Sequence, residues 1–192
     1  MTRILTLVVI GSCCLAAACD EESTGDGSCA GQMVTLLAVV DGDTLKAEEL
    51  DKNIRLLGVN APETSGTNPE ACPLKWDNMS VAEQEEFRED CCYGDQAKLF
   101  MTDLLPPGTP ICLVNPKGGK PEKDMYQRTL ADVYVGSTFV NAKLITSGYA
   151  RAYKDFPHPT HADEFEQLED QAKANLMGLW GYCATAQGDS CP

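Results

Sequence analysis

The chain is short of the residues and spacings from which chemistry is most easily read. Its 192 residues include two histidines, His158 and His161, and its ten cysteines contain no C-x-x-C pair. Neither a zinc-finger spacing nor a dithiol redox motif is therefore on offer. Cys91 and Cys92 are adjacent, so each is expected to pair with a cysteine elsewhere. Positive charge is also scarce, with 15 Lys and Arg against 29 Asp and Glu, a net charge of −14. That balance excludes a protein that grips polyanions through a broad basic surface. A phosphate-binding function would need locally focused cations or a bound metal ion. There is no internal repeat and no EF-hand spacing. Beyond residue 18, no apolar run is long enough to span a bilayer.

The apolar run that does exist is at the start. Residues 4–18 follow the single basic Arg3 and break abruptly into Asp20-Glu21-Glu22, the profile of an export signal. Ala16-Ala17-Ala18 before Cys19 fits a small-residue cleavage site. It also resembles a bacterial lipobox, with Leu15 one place too far upstream. Two outcomes stay open: free secretion with eight cysteines, or a membrane-anchored lipoprotein acylated on Cys19, with seven. Removing Arg3 with the leader takes the net charge from −14 to −15. An extracytoplasmic location makes the remaining cysteines structural disulfide candidates. Residues 19–32, acidic and glycine-containing, read as a flexible tether. Residues 33–183 read as one domain, and 184–192 as a tail.

Within the domain, β-rich runs at 34–40, 44–50 and 54–59 are separated by Asp41-Gly42-Asp43 and Asp51-Lys52-Asn53, which predicts a three-stranded meander. Ser80-Val81-Ala82-Glu83 has the capping-box pattern and predicts a short acidic helix toward Asp90. A second helix is expected over 93–105, stopped by Pro106-Pro107-Gly108. Further strands are expected at 110–115 and 129–135, an extended piece at 150–153, and helices at 139–146 and 162–177. The last carries Phe165, Leu168, Ala172 and Leu176 on one stripe. Strands first and helices afterwards predict an α+β fold on a small barrel.

Three segments carry candidate chemistry. Asp41-Gly42-Asp43-Thr44 puts two carboxylates at a hairpin mouth, where they can present oxygen to a hard cation, although the same residues also make an ordinary turn. Arg55 and Asn60-Ala61-Pro62-Glu63 bring a guanidinium suited to phosphate, an amide, a fixed turn and a carboxylate able to activate water near a metal. Read blandly, they are a surface arginine and a solvated turn. Asp124-Met125-Tyr126-Gln127-Arg128 offers a second cation and an aromatic ring just before a strand. His158 and His161, flanked by prolines and with no nearby ligand cluster, read as exposed loop residues rather than zinc ligands.

In this order, and followed by Val140-Asn141, Gly148-Tyr149-Ala150 and Gly178-Leu179-Trp180, these motifs resemble the staphylococcal nuclease (thermonuclease) family over most of residues 34–180. The resemblance implies an OB-fold five-stranded barrel with about three helices, a catalytic Ca²⁺, and hydrolysis of phosphodiester bonds in DNA or RNA. It implies Asp43 as the principal metal ligand, Asn60 as a second, Ala61 contributing its backbone carbonyl, and Asp41 behind them. Glu63 matches the residue that orients or deprotonates the attacking water. Arg55 and Arg128 match the arginines that grip the phosphate, and Tyr126 a tyrosine near it.

This sequence departs from the family pattern in several places. Asn60 stands where aspartate is usual, an oxygen ligand without charge, which predicts a calcium affinity toward the ~10⁻⁴ to 10⁻³ M range of extracellular modules. Met125 lies where a phosphate-binding lysine is found, and Lys154-Asp155-Phe156 replaces part of a base-binding segment. Residues 64–92 form a longer loop with an extra helix, expected to be stapled by a disulfide from Cys72 to Cys91 or Cys92. The competing expectation is a catalytically weak or inactive OB-fold module that binds nucleic acid or a protein partner.

Overall fold

The computed structural model describes residues 29–64 and 81–181, with only the backbone described over 81–92. The expected leader, Cys19, Cys72 and the C-terminal tail lie outside the described residues.

The meander forms as expected, with β1 (Gln32–Asp41), β2 (Thr44–Ala47) and β3 (Ile54–Leu56) antiparallel in turn. β5 (Pro110–Val114) pairs with the first part of β1. β7 (Thr129–Val135) pairs antiparallel with β5 and parallel with β3. The order β1-β2-β3-β7-β5 thus closes on itself as a five-stranded mixed barrel. β1 can serve two neighbours because it is long and bulged: its register with β2 shifts between Leu36 and Ala38 and again between Val39 and Asp41. Such bulges bend and twist a strand, which a small barrel requires. The short strands β6 (Glu122–Lys123) and β8 (Thr138–Phe139) pair with β7, while β4 (Val59–Asn60) pairs with β9 (Arg151–Ala152) in a separate ribbon.

Two strands end earlier than expected. β2 stops at Ala47 because Glu49 turns back, its carboxylate accepting hydrogen bonds from the Thr35 N–H at 2.9 Å and the Thr35 hydroxyl at 3.0 Å. β3 stops at Leu56 because Gly58 takes a left-handed conformation (φ +67°). A Cβ on Gly58 would lie 2.4 Å from the Cβ of His158, so only glycine fits there.

The helices also differ in part. The expected pair over residues 80–105 is one continuous helix, α1 (Val81–Leu104). No proline interrupts the segment, and Gly94 alone costs roughly 1 kcal/mol, too little to divide a helix held by packing. α2 (Val140–Thr146) ends at Gly148 (φ +72°) as expected. α3 (Ala162–Ala174) ends sooner than the stripe suggested, because Leu176 adopts φ +51° and is left 57% exposed instead of buried.

The core is the barrel interior capped by helices. Val34, Leu36, Leu45, Ile54, Leu56, Ile111, Leu113, Ala131 and Val133 alternate inward along the strands. Ala97, Met101 and Leu105 come from α1 and the residue after it, Val140, Leu144 and Ile145 from α2, and Phe165 from α3. Buried Asn141 ties the layers: its Oδ1 accepts from the Val133 N–H at 3.0 Å and its Nδ2 donates to the Leu57 carbonyl at 2.9 Å.

His158 corrects the reading of an exposed loop histidine, since it is only 2% exposed. Its Nδ1 accepts from the N–H groups of Thr160 (3.2 Å) and His161 (2.9 Å). Its Nε2 therefore carries the proton that is donated to buried Asp132 at 2.6 Å. The bond to Asp132 and contact with the Phe165 ring hold the imidazole inside, a tertiary outcome that spacing does not report.

Cys29 is bonded to Cys112 of β5, with their Cα atoms 5.6 Å apart. Residues 29–32, read as the end of the tether, are thus pinned covalently and continue into β1. The bond spans 83 residues. By chain entropy a loop of that size is worth roughly 4–5 kcal/mol, and native disulfides typically contribute about 2–4 kcal/mol. The Cys29→Ser/Cys112→Ser variant is expected to lose that amount in urea denaturation, and an unchanged midpoint would refute a stabilising role for the bond.

Candidate active site

The site is built around the turn between β1 and β2. Asp41 pairs with Thr44 across the hairpin, leaving Gly42 and Asp43 at its tip. The tip is pressed against α1, so that a Cβ on Gly42 would lie 2.7 Å from the Cβ of Ala61 and 2.8 Å from that of Ala97. The Glu63 backbone meets the same helix one turn earlier, where a Cβ on Gly94 would lie 1.9 Å from the Glu63 carbonyl oxygen. The two glycines let α1 act as the floor on which both carboxylate-bearing segments rest. In the sequence Gly42 reads only as a turn residue, and nothing local marks Gly94.

Asp43 is 6% exposed and bonded through both carboxylate oxygens. Its Oδ1 accepts from the Thr44 hydroxyl at 2.9 Å, and its Oδ2 accepts from the Ala61 N–H at 2.8 Å and pairs with Arg55 Nη1 at 2.8 Å. Arg55 reaches it because β2 and β3 align Thr44 with Arg55. The guanidinium also donates to the Val59 carbonyl at 2.9 Å and to Asn60 Oδ1 at 3.2 Å, and it lies 5.7 Å from the centre of the Tyr153 ring. Tyr153 had not been singled out by the sequence; its position just after β9 gives no local signal.

Glu63 is exposed and lies close enough to Asp41 for the two carboxyls to act on each other. Burial pushes the Asp41 carboxyl up from 3.8 to about 6, opposed by a hydrogen bond from the Gly42 N–H and reinforced by the charges of Asp43 and Glu63. Negative charge is therefore crowded here. Among the described residues no group of three or more His, Cys, Asp or Glu side chains is arranged to hold a metal ion. The oxygens of Asp41, Asp43, Asn60 and Glu63 are nevertheless the donor type a hard cation prefers.

Arg128 enters from a different direction. Asp124 organises its turn, Oδ1 accepting from the N–H groups of Tyr126 and Arg128 at 2.9 Å each, and Oδ2 from Arg128 Nε at 2.6 Å. Burial would raise the Asp124 carboxyl, but the hydrogen bonds and charge from Arg128 outweigh it and hold the group below its usual range. The Arg128 guanidinium lies 5.5 Å from the Tyr126 ring, which is 67% exposed. The parallel register, Ile54 beside Thr129 and Arg55 beside Leu130, puts the two arginine-bearing segments on adjacent strands. Asp41, Asp43, Arg55, Asn60, Ala61 and Glu63 thus form one cluster. Arg128 and Tyr126 are tied to Asp124 and to each other rather than to this cluster, on the turn that leads into the strand paired with Arg55.

A protein-family model described as staphylococcal nuclease homologue matches residues 53–182. The chain belongs to the staphylococcal nuclease family. It is 30% identical to the thermonuclease of Staphylococcus hyicus over 83% of this chain and 82% of that protein. It is 27% identical to the thermonuclease of Staphylococcus intermedius over 94% and 99%. Endonuclease YncB of Bacillus subtilis is 30% identical over 82% of this chain and 67% of its own length. The staphylococcal nuclease family match begins two residues before Arg55 and includes Arg128. The Asp41–Thr44 turn lies outside it, so its place in the site rests on the bonds of Asp43 just described.

The crowding at Asp41 has a measurable sign. A carboxyl raised in the folded state favours folding while protonated, and that advantage is lost as pH rises from 3.8 through about 6. In chelator, Asp41→Asn is expected to raise the melting temperature relative to the parent at pH 7.5 but not at pH 3.5. Equal shifts at both pH values would contradict the proposed crowding.

Proposed function

We propose that this protein is an exported, calcium-dependent nuclease that hydrolyses phosphodiester bonds in DNA or RNA. Family membership supports nuclease activity in general. The observation that carries the finer reading is the Asp43–Arg55–Asn60 network with Glu63 alongside: a buried carboxylate, a pre-set guanidinium and an outer carboxylate lie next to one another.

Calcium would be held by Asp43, Asn60 and the Ala61 carbonyl, with Asp41 behind them, and when bound it supplies positive charge to polarise the phosphate. The all-oxygen donors and the excess negative charge around Asp41 fit such an ion. The chain's own residues do the rest. Arg55, fixed by three acceptors, needs little reordering to meet a phosphate oxygen. Arg128 is held by Asp124 through Nε, which leaves its terminal nitrogens for a second contact. Glu63, exposed beside the cluster, would orient a water and take its proton. Both arginines would stabilise charge developing on the phosphate, worth on the order of 3 kcal/mol for one well-placed donor. They also give an acidic protein the focused positive charge that its composition withholds.

Export rests on the leader-like residues 1–18 and is supported by the Cys29–Cys112 bond, which persists in oxidising compartments. Lipid anchoring through Cys19 and free secretion both remain compatible with this reading. The rival, a weak or inactive binding module, draws on Asn60, whose neutral oxygen is already used by Arg55.

Incubating the leaderless protein with single-stranded DNA in millimolar Ca²⁺ is expected to give cleavage that chelator abolishes. Glu63→Gln should then reduce kcat by roughly 10²- to 10⁴-fold. Cleavage indifferent to calcium or to this substitution would sink the mechanism, and binding without cleavage would favour the rival. Asn60→Asp is expected to tighten calcium binding about tenfold or more in calorimetry. An unchanged affinity would remove Asn60 from the ligand set.

A further inference from the structure

Gln127 sits in the turn that presents Arg128 and has φ +64°, the left-handed region that side chains other than glycine, asparagine and aspartate rarely occupy. The turn does not depend on its amide. Gln127 contributes only its backbone N–H, to the Asp124 carbonyl at 2.9 Å, while the Asp124 backbone N–H and carboxylate make the remaining bonds. The side chain is exposed, next to Tyr126 and Met125, which are 67% and 83% exposed. A strained backbone with no return inside the fold points to a contact outside it.

The chemistry of that contact follows from what stands there. Arg128, the adjacent residue, already supplies charge for a phosphate. Gln127 is neutral, with a donor and an acceptor side by side, the pattern that matches the edge of a nucleobase, adenine best of all. Resting on the nuclease reading above, we propose that Gln127 is a specificity residue that hydrogen-bonds the base flanking the scissile phosphodiester.

The test is to sequence the cut sites left on a randomised single-stranded DNA in Ca²⁺ by the parent, Gln127→Gly and Gln127→Ala, alongside their melting temperatures. A single-stranded substrate removes any effect of duplex melting. The parent is expected to favour adenine beside the cut by roughly five- to a hundredfold, and both variants to lose that bias. Gln127→Gly should melt about 2–4 °C higher through relief of the left-handed strain. Gln127→Ala keeps the strain and should not. Loss of bias in the glycine variant alone would trace the effect to backbone freedom and overturn the proposal. So would the same cut-site spectrum in all three active proteins, without touching the nuclease reading. A parent that does not cleave at all would overturn both.

Discussion

The parallel pairing of β3 with β7 is the constraint on which the rest of this molecule depends. It is the barrel's single parallel contact, between strands more than seventy residues apart, and it turns a curled sheet into a closed ring. Its register sets Arg55 beside Leu130 and therefore brings the Arg128 turn to the strand that carries Arg55. Asn141 secures the same seam, bonding Leu57 just after β3 and Val133 within β7. A slip of one residue would turn the inward-facing side chains outward, so core burial and site geometry are fixed together.

Inside that ring, the Asp43–Arg55 pair carries both structural and chemical weight. Both side chains are largely withdrawn from water, at 9% and 11% exposure, so neither charge can be left alone cheaply. Breaking such a pair typically costs about 3–5 kcal/mol, far more than the ~0–1 kcal/mol of an exposed one. The additional bonds from Ala61 and Thr44 to Asp43, and from Arg55 to Val59 and Asn60, make the desolvation tolerable. They also hold these groups in position before any substrate arrives, the condition for electrostatic catalysis.

A second set of buried polar groups supports the outer wall. Asp132 of β7 accepts from His158, and Glu169 of α3 accepts from the Ala152 N–H at 2.7 Å while pairing with Lys173. Together they bind the segment from β9 to α3, which contains Tyr153, to the barrel. The aromatic side of Arg55 is therefore positioned by residues remote from it in sequence.

By itself the sequence determined the five barrel strands apart from their ends, the helix stops at Pro106 and Gly148, and the residues to be sought at a site. Those features come from local periodicity, from proline and glycine, and from residue types whose chemistry is independent of their surroundings. It did not reveal that residues 81–104 form one helix, that Leu176 leaves its stripe, that His158 is buried, or that Cys29 reaches Cys112. Nor did it reveal why Gly42 and Gly94 are glycines. Each of these is decided by a contact across the fold: a helix pressed on two backbones, a ring enclosed beside Asp132, a strand laid next to β5. Only tertiary structure could join Asp43 to Arg55 and Asn60, because a charge that is harmless in water becomes binding only once the surrounding chain has excluded the water.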